Sequence, residues 1–166
     1  MVSILVLIPD SAYMLKINYI MKEASDVDGR ILYITLNKTY RALDQQFKAA
    51  GIDVVHYIDG ISSSFLGPST EFGECTFFSI TIGLDDLHDL VVRLVKEHAI
   101  TLVIFDSLSS LAVYRKAEDI MRFVPKLIAS LSLLNCSAIL TVLVNDEYRP
   151  EIGHVKMSVD KVLRMG

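Results

Sequence analysis

The stretch TLVIFDSLSSL, residues 101–111, gives the first indication of the fold. Its apolar run at residues 102–105 predicts a β-strand that is buried on both faces. The run ends at Asp106, so this carboxylate is expected at the rim of the sheet. There it could hold a water of a magnesium ion that bridges nucleotide phosphates, or it could serve as a turn residue or helix cap. The stretch alone leaves both interpretations open.

Strand and helix patterns alternate on both sides of this stretch. Apolar runs predict further strands at residues 2–8, 30–36, 54–58 and 138–144, a short one at 76–80 and an edge strand at 159–165. Apolar residues spaced three and four apart predict helices at residues 11–24, 38–50, 84–98 and 117–134. Asp10 or Ser11 is the expected N-cap of the first helix. The alternation predicts an α/β fold, a mainly parallel sheet with helices on both faces.

The length of 166 residues corresponds to about one ordinary domain, so residues 1–166 are predicted to form a single domain. Hydrophobic residues make up 52% of the chain and charged residues 22%, which leaves a thin polar surface for a solitary globule. Part of this apolar excess is expected to lie in an interface. Residues 59–74 are rich in Gly, Ser and Thr and lack apolar periodicity, which predicts a long loop or a partly disordered segment.

Charge and cysteine content narrow the functional classes. A net charge of −4 and no cluster of Lys or Arg argue against a nucleic-acid partner. Cys75 and Cys136 do not have metal-ligand spacing and are predicted to be small buried residues in a reducing compartment. The first residues do not resemble a signal peptide, and no apolar run reaches the roughly 18 to 20 residues that span a bilayer. These features predict a cytoplasmic protein without membrane attachment.

Acidic residues and histidine cluster near the start of the helix at residues 84–98. Asp85, Asp86, His88 and Asp89 could suggest a metal site, but helix capping and the helix dipole favour an acid pair at a helix start. Ligands of parallel α/β sheets bind beyond the carboxyl ends of the strands. The residues that matter for binding are therefore expected at 9–12, 37–39, 106–110 and 145–147.

The chain resembles the KaiC and RecA superfamily of ATPases, especially the single-domain archaeal KaiC-like proteins, over nearly its whole length and most specifically at residues 84–144. Residues 106–109 resemble the Asp-Ser-Leu-Ser that follows the Walker B strand in this family. Residues 137–145 are similar to the strand that ends in a phosphate-sensing residue, here Asn145. Residues 159–165 are similar to the closing strand of the family. The resemblance implies a RecA-like P-loop NTPase core in which Asp106, Ser107 and Asn145 contact ATP and Asp106 binds magnesium.

The phosphate-binding loop departs from this resemblance. A P-loop requires G-x-x-x-x-G-K-[ST] directly after the first strand, because backbone N–H groups, an ammonium and a hydroxyl together neutralise the phosphates. Residues 8–15 read IPDSAYML, with no glycine and with Met14 and Leu15 where Lys-Thr would fall. Pro9 has no N–H and Asp10 adds a negative charge. The Walker A motif is therefore interpreted as degenerate, and Lys16 is either a substitute cation or a solvated helix residue.

A second departure follows the strand at residues 30–36. KaiC-like ATPases resemble one another in carrying paired Glu there, which activate the attacking water. This chain has Asn37 and Lys38. An amide and an ammonium cannot act as general bases at neutral pH in this role, so hydrolysis by the family's route is not expected.

These departures favour a non-hydrolysing KaiC- or RecA-like module, a pseudo-ATPase that acts through self-association or a partner, in regulation or signalling. Related ATPases assemble through sheet-edge and helix surfaces with nucleotide at the seam. The first alternative is an ATP-binding protein or slow ATPase, in which Asp106 binds magnesium, Asn145 senses the terminal phosphate and Lys16 contributes charge. The second is a subunit that receives a catalytic loop from another chain.

Overall fold

The computed structural model of the chain describes residues 1–27, 29–62 and 71–166. Eight strands and six α-helices lie within these residues. The strands are β1 (Ser3–Ile8), β2 (Ile31–Thr35), β3 (His56–Asp59), β4 (Glu71–Phe72), β5 (Cys75–Phe77), β6 (Leu102–Asp106), β7 (Ser137–Leu143) and β8 (Lys161–Arg164). The helices are α1 (Tyr13–Asp26), α2 (Tyr40–Ala49), α3 (Leu84–Glu97), α4 (Leu108–Tyr114), α5 (Ala117–Leu133) and α6 (Pro150–Ser158).

The described strands form one sheet in the order β4-β5-β3-β2-β6-β7-β1-β8. Seven strands are parallel, and only the short β4 is antiparallel to its neighbour. The strand β1 lies between β7 and β8, with Ser3 opposite Ala138 and Ile4 opposite Lys161. The predicted α/β class with a mainly parallel sheet is thus confirmed.

Helices cover both faces of the sheet, as predicted. Successive side chains of β1 point to opposite faces, so Val6 and Ile8 join the core under α1 and α2, whereas Leu5 and Leu7 join the core under the other four helices. The first core is rich in aromatic residues, and Tyr33 packs against Phe47 and Tyr57 with ring centroids 5.3 and 6.2 Å apart. Of the helices that the structure describes, two thus cover one face and four cover the other.

The first helix begins later than predicted. Asp10–Ala12 form a single 3-10 turn, and α1 starts at Tyr13. Neither Asp10 nor Ser11 is the N-cap of α1; Ala12 occupies that position and makes no side-chain capping bond. The chain thus enters α1 without the cap that its polar residues predicted, and the phenol of Tyr13 stands at the first helical position.

The sequence patterns did not predict the two short helices α4 and α6. The helix α4 directly follows β6, and α6 begins with Pro150 at its first position, where the missing N–H costs nothing. Among the residues of α6, only Glu151, Ile152 and Val155 are buried. Such short segments carry too few apolar repeats to give a clear helical period.

The structure also refines the segment at residues 59–74, which was predicted to be a loop. Asp59 is the last residue of β3, and Glu71–Phe72 form β4. The remainder of that prediction, residues 63–70, lies outside the described residues. The predicted edge position of the last strand is confirmed, because β8 ends the sheet and its four residues are exposed.

Cys75 and Cys136 are both buried and unpaired, as predicted. Among the described residues, no helix is both long and apolar enough to cross a bilayer.

Candidate functional site

The candidate site lies where four neighbouring parallel strands end. Because β2, β6, β7 and β1 are adjacent in the sheet, their carboxyl ends bring residues 9–12, 36–39, 106–110 and 144–147 to one edge. Asp106 is the last residue of β6 and lies between Thr35 of β2 and the end of β7. Its exposed fraction is only 2%, so the carboxylate lies inside this edge rather than on its surface.

Groups from four parts of the chain surround the Asp106 carboxylate. The Tyr33 hydroxyl donates to Oδ2 at 2.5 Å, and the Asn37 amide donates to Oδ1 at 2.5 Å. The Tyr13 hydroxyl also donates to Oδ1. The Thr141 hydroxyl lies 3.3 Å from Oδ1 and 2.9 Å from the Tyr13 hydroxyl. We call these five residues the Asp106 network.

Burial and hydrogen bonding act in opposite directions on Asp106. Burial raises the pKa of its carboxyl, while the bonds from Tyr13, Tyr33, Thr141 and Asn37 lower it. Burial is the main cause that raises the pKa of Tyr13 and Tyr33 far above the ordinary value, and the charge of Asp106 is the second cause. Both phenols therefore keep their protons at neutral pH and remain donors toward the carboxylate.

Tyr13 occupies the junction where a P-loop would begin its helix. The preceding turn is closed by a backbone bond from the Ala12 N–H to the Pro9 carbonyl, 3.3 Å long. The Tyr13 side chain reaches from the first position of α1 to Asp106 and Thr141. Lys16 follows one turn later, is partly exposed, and has no hydrogen bond or ion pair within the described part of the chain. The structure therefore does not bring Lys16 into the Asp106 network.

Ser107 and Ser109, next to Asp106, hold local structure. The Ser107 Oγ accepts from the Ser110 N–H at 3.1 Å and so caps α4. The Ser109 Oγ accepts from the Leu143 N–H at 2.9 Å and so ties α4 to the end of β7. Leu108, between them, is fully buried. Each residue of the Asp-Ser-Leu-Ser segment thus has a packing or hydrogen-bonding partner in the fold.

Asn37 links the end of β2 to α4. Its amide nitrogen donates to Asp106, and its amide oxygen accepts from the Ser110 hydroxyl. The Lys38 carbonyl accepts from the Thr35 hydroxyl at 2.6 Å, and Lys38 itself is exposed. The residue at the expected place of a catalytic carboxylate thus acts as a hydrogen-bond donor to Asp106.

Asn145 lies outside the Asp106 network. It belongs to a single 3-10 turn, Val144–Asp146, and its exposed side chain has no hydrogen bond in the part of the chain that the structure describes. Glu147 follows at once and forms ion pairs with Arg164 at 2.5 Å and Lys156 at 3.0 Å. The hydrogen bonds from Arg164 and Lys156 lower the pKa of the Glu147 carboxyl, and the bond from Arg164 has the larger effect. Glu147 thus ties α6 and β8 to the end of β7.

Three members of the Asp106 network were missed by the sequence analysis as site residues. The sequence patterns place Tyr13 within the predicted helix at residues 11–24, and Tyr33 and Thr141 within the predicted strands at residues 30–36 and 138–144. Burial itself was the available signal, because a hydroxyl in a strand that is apolar on both faces needs a hydrogen-bond partner. The sequence does not identify that partner, since it comes from a distant segment.

The acidic cluster of α3 does not form a metal site among the described residues. No group of three or more His, Cys, Asp or Glu there is arranged to hold a metal ion. Asp85 and Asp86 lie in the first turn of α3. His88 is buried, with its two ring nitrogens 3.0 Å from an Asp89 oxygen and 2.8 Å from the Ser130 hydroxyl. Its ring is thus used to join α3 to α5.

Comparison with known proteins agrees with the resemblance seen in the sequence. A family model described as "ATPase: KaiC" matches residues 13–166. The fold is similar to the crystal structure of a KaiC-like protein from the hyperthermophilic archaeon Pyrococcus horikoshii OT3, with a TM-score of 0.65 and 16% sequence identity. The match covers 99% of this chain and 72% of that chain. The search of curated proteins found no significant match.

Proposed function

This chain belongs to the KaiC family of ATPase domains, and we propose that it is a non-hydrolysing member that acts by association, with itself or with a partner protein, in regulation or signalling. The observation that carries the proposal is the Asp106 network. In this network the carboxylate at the Walker B position is bound by donors of its own chain.

The first argument concerns magnesium. A carboxylate that orients the hydration shell of Mg²⁺ needs oxygen lone pairs directed at the ion. Here Oδ2 accepts from Tyr33, and Oδ1 accepts from Tyr13 and Asn37 with Thr141 close by. Freeing Oδ2 would leave the buried Tyr33 hydroxyl without a partner, at about 1–3 kcal/mol, and freeing Oδ1 would break the bonds from Tyr13 and Asn37. The residues present therefore do not fit a magnesium ion at this position.

The second argument concerns the phosphates. Tyr13 fills the helix start, Pro9 contributes no N–H, and Asp10 lies in the turn that precedes α1. A triphosphate needs several closely spaced N–H groups together with positive charge. The lone ammonium of Lys16, one turn into α1, would leave most of that charge unmatched.

The third argument concerns the attacking water. Activation of water requires a group that can accept its proton, and the Asn37 amide cannot do so at neutral pH. The amide is also engaged on both sides, by Asp106 and by Ser110. Hydrolysis would therefore need a base from elsewhere.

One observation favours the ATP-binding alternative. Asn145 lies at the end of β7, at the place of a phosphate-sensing residue in related proteins, and its side chain has no hydrogen bond among the described residues. A nucleotide that approached this edge could use it without disturbing the Asp106 network. This alternative, in which Asp106 binds magnesium and Lys16 contributes charge, predicts ATP binding that weakens in Asn145→Ala.

Thermal melting and phosphate release with millimolar Mg-ATP test the proposal. A ligand that binds the native state raises the melting midpoint, so we expect no rise beyond that given by magnesium chloride alone. We also expect no phosphate release above the buffer rate. A saturable rise of several degrees would show that the chain binds nucleotide. Phosphate release by the parent chain that disappears in Asp106→Asn would show that the chain hydrolyses ATP. Either result would contradict the corresponding part of the proposal.

A further inference from the structure

The face of the sheet that carries α1 is incompletely covered near β8. A groove of about 790 Å³ runs between α1 and β8 over the first halves of β1 and β7. Its floor is apolar and includes Val6, Ile139 and Leu163. Because only α1 and α2 lie on this face, no described helix covers the groove.

Large apolar side chains border this groove in exposed positions. Tyr19 of α1 is 58% exposed and Leu163 of β8 is 48% exposed, and both line the groove. Leu15 lies one turn before Tyr19 and is 74% exposed. A contiguous apolar surface of this kind marks an interaction site. We call the groove together with the outer side of α1 the α1 face.

The charges on α1 indicate which partner fits. Lys16 and Glu23 are seven residues apart, two helical turns, so they lie on the same side of α1. Neither has an ion-pair partner among the residues that the structure describes. The midpoint between them falls between Tyr19 and Ile20, in the apolar part of the α1 face.

We propose that a second copy of this chain covers the α1 face, with the two α1 helices antiparallel about a two-fold axis near Tyr19 and Ile20. Such an axis places Lys16 against Glu23 of the partner subunit, and Glu23 against Lys16 of the partner subunit. The same surface of each subunit thus contributes to two ion pairs across the axis. This self-complementarity is what an isologous dimer requires. The inference rests on the proposed function, because it names the surface through which the chain associates.

The open edge of β8 is a less suitable contact than the α1 face. Lys161 lies on this edge, and a lysine there opposes pairing of two edge strands. Arg164, also in β8, is bound to Glu147 of its own chain. Apolar contact in the groove, with charge pairing along α1, therefore defines the dimer better than an extended sheet does.

Sedimentation velocity over a concentration series, without nucleotide, tests the dimer. We expect a reversible dimer for the parent chain and about a tenfold weaker dimer or worse for Lys16→Glu and for Glu23→Lys, because each change sets two pairs of like charges against each other. The double variant Lys16→Glu/Glu23→Lys restores the pairs and should regain the parent dissociation constant. Tyr19→Lys should remove the dimer altogether.

Met157→Lys is the matched control, because Met157 is 86% exposed on α6, away from the α1 face. It should dimerise as the parent does, and circular dichroism should show every variant folded. A parent chain that stays monomeric overturns the proposal. A dimer that all the variants leave unchanged, or a double variant that stays as weak as the single ones, also overturns it. Mg-ATP binding would count against the proposed function alone, since the dimer is measured without nucleotide.

Discussion

Donors from α1, β2 and β7 and from the segment after β2 converge on Asp106, a residue with an exposed fraction of only 2%. A buried carboxylate is costly unless hydrogen bonds compensate for the water that it has lost. Here the compensation comes from uncharged groups, since neither a cation nor a metal ligand set is described beside it. The same bonds that make the carboxylate tolerable in the core occupy the oxygens that a metal ion would use.

Tyr33→Phe tests the energetic role of the network. The substitution keeps the ring in its aromatic cluster but leaves Oδ2 of Asp106 without its 2.5 Å donor. We expect the free energy of unfolding to fall by about 1–3 kcal/mol in chemical denaturation. Tyr148→Phe, at a residue that is 90% exposed, is the control and should leave stability unchanged. Equal stability of both variants would show that the bond to Oδ2 contributes nothing.

The pH dependence of stability tests the state of Asp106. Its folded pKa is raised above the ordinary value of 3.8, so the folded chain binds more protons than the unfolded chain between those two values. The contribution of Asp106 to stability is therefore fully present below pH 3.8 and is lost as pH rises through the folded pKa. Asp106→Asn has no carboxyl to titrate, so it does not lose stability in this way. The stability of this variant relative to the parent should therefore increase as pH rises from 3.8 to the folded pKa of Asp106, and then level off. A difference that stays constant with pH would contradict the raised pKa.

Sequence reasoning located Asp106 but not its partners. An acid at the end of an apolar run is a local pattern, and the structure places this one at the predicted edge of the sheet. The contacts from Tyr13, Tyr33 and Thr141 join residues 35 to 93 positions away from Asp106, and no spacing rule connects them. The absence of glycine and lysine in residues 8–15 is visible in the sequence, whereas the phenol that takes their place is visible only in the structure.

At the scale of elements, the segment after β6 serves to hold α4 in place. Ser107 caps α4 and Ser109 receives the Leu143 N–H, so a motif known from nucleotide-handling relatives has a structural role in this fold. Such a role would keep the motif recognisable whether or not a nucleotide binds. The likeness at residues 106–109 therefore identifies the fold more reliably than the activity.

Ser109→Ala tests this structural role. Removing the hydroxyl leaves the N–H of Leu143 without its acceptor, and we expect a loss of about 1–3 kcal/mol in the free energy of unfolding. Ser132→Ala, at an exposed position of α5, is the control. If both variants melted like the parent, the bond between α4 and β7 would be unimportant for stability.

Glu147 gives a second prediction at this scale. Its bonds to Arg164 and Lys156 lower its pKa below the ordinary value of 4.5. These bonds are therefore present above pH 4.5 and are lost as pH falls through the lowered folded pKa. Glu147→Gln should speed amide hydrogen exchange in β8 at neutral pH. Exchange in β8 that matches the parent would contradict a role of Glu147 in holding the edge strand.

Element prediction succeeded where the apolar period was long and failed where it was short. The helices at residues 84–98 and 117–134 were predicted to within one residue of α3 and α5, because each shows several turns of apolar spacing. The shorter α4 and α6 have too few buried residues for such a signal. Strand order and the uncovered α1 face depend on how the elements are arranged in space, which local patterns do not encode.

At the scale of the whole molecule, the described strands form one sheet, and Tyr13 at the start of α1 and Asn37 after β2 both bind Asp106 at its edge. Under the proposed function, Tyr13 stands in place of the phosphate loop and Asn37 in place of the catalytic base. The association that we propose for this chain would use the α1 face, whose apolar groove has a volume of about 790 Å³.

Nuclear magnetic resonance spectra of the ¹⁵N-labelled chain, recorded during titration with Mg-ATP, test whether the Asp106 network keeps nucleotide out of the edge of the sheet. The backbone N–H groups of residues 10–14 and 106–110 lie where a bound triphosphate and its magnesium ion would alter them first. We expect these resonances to stay in place up to millimolar ligand. Saturable shifts centred on Tyr13 and Asp106 would contradict it, because they would mean that nucleotide enters the edge of the sheet despite the Asp106 network.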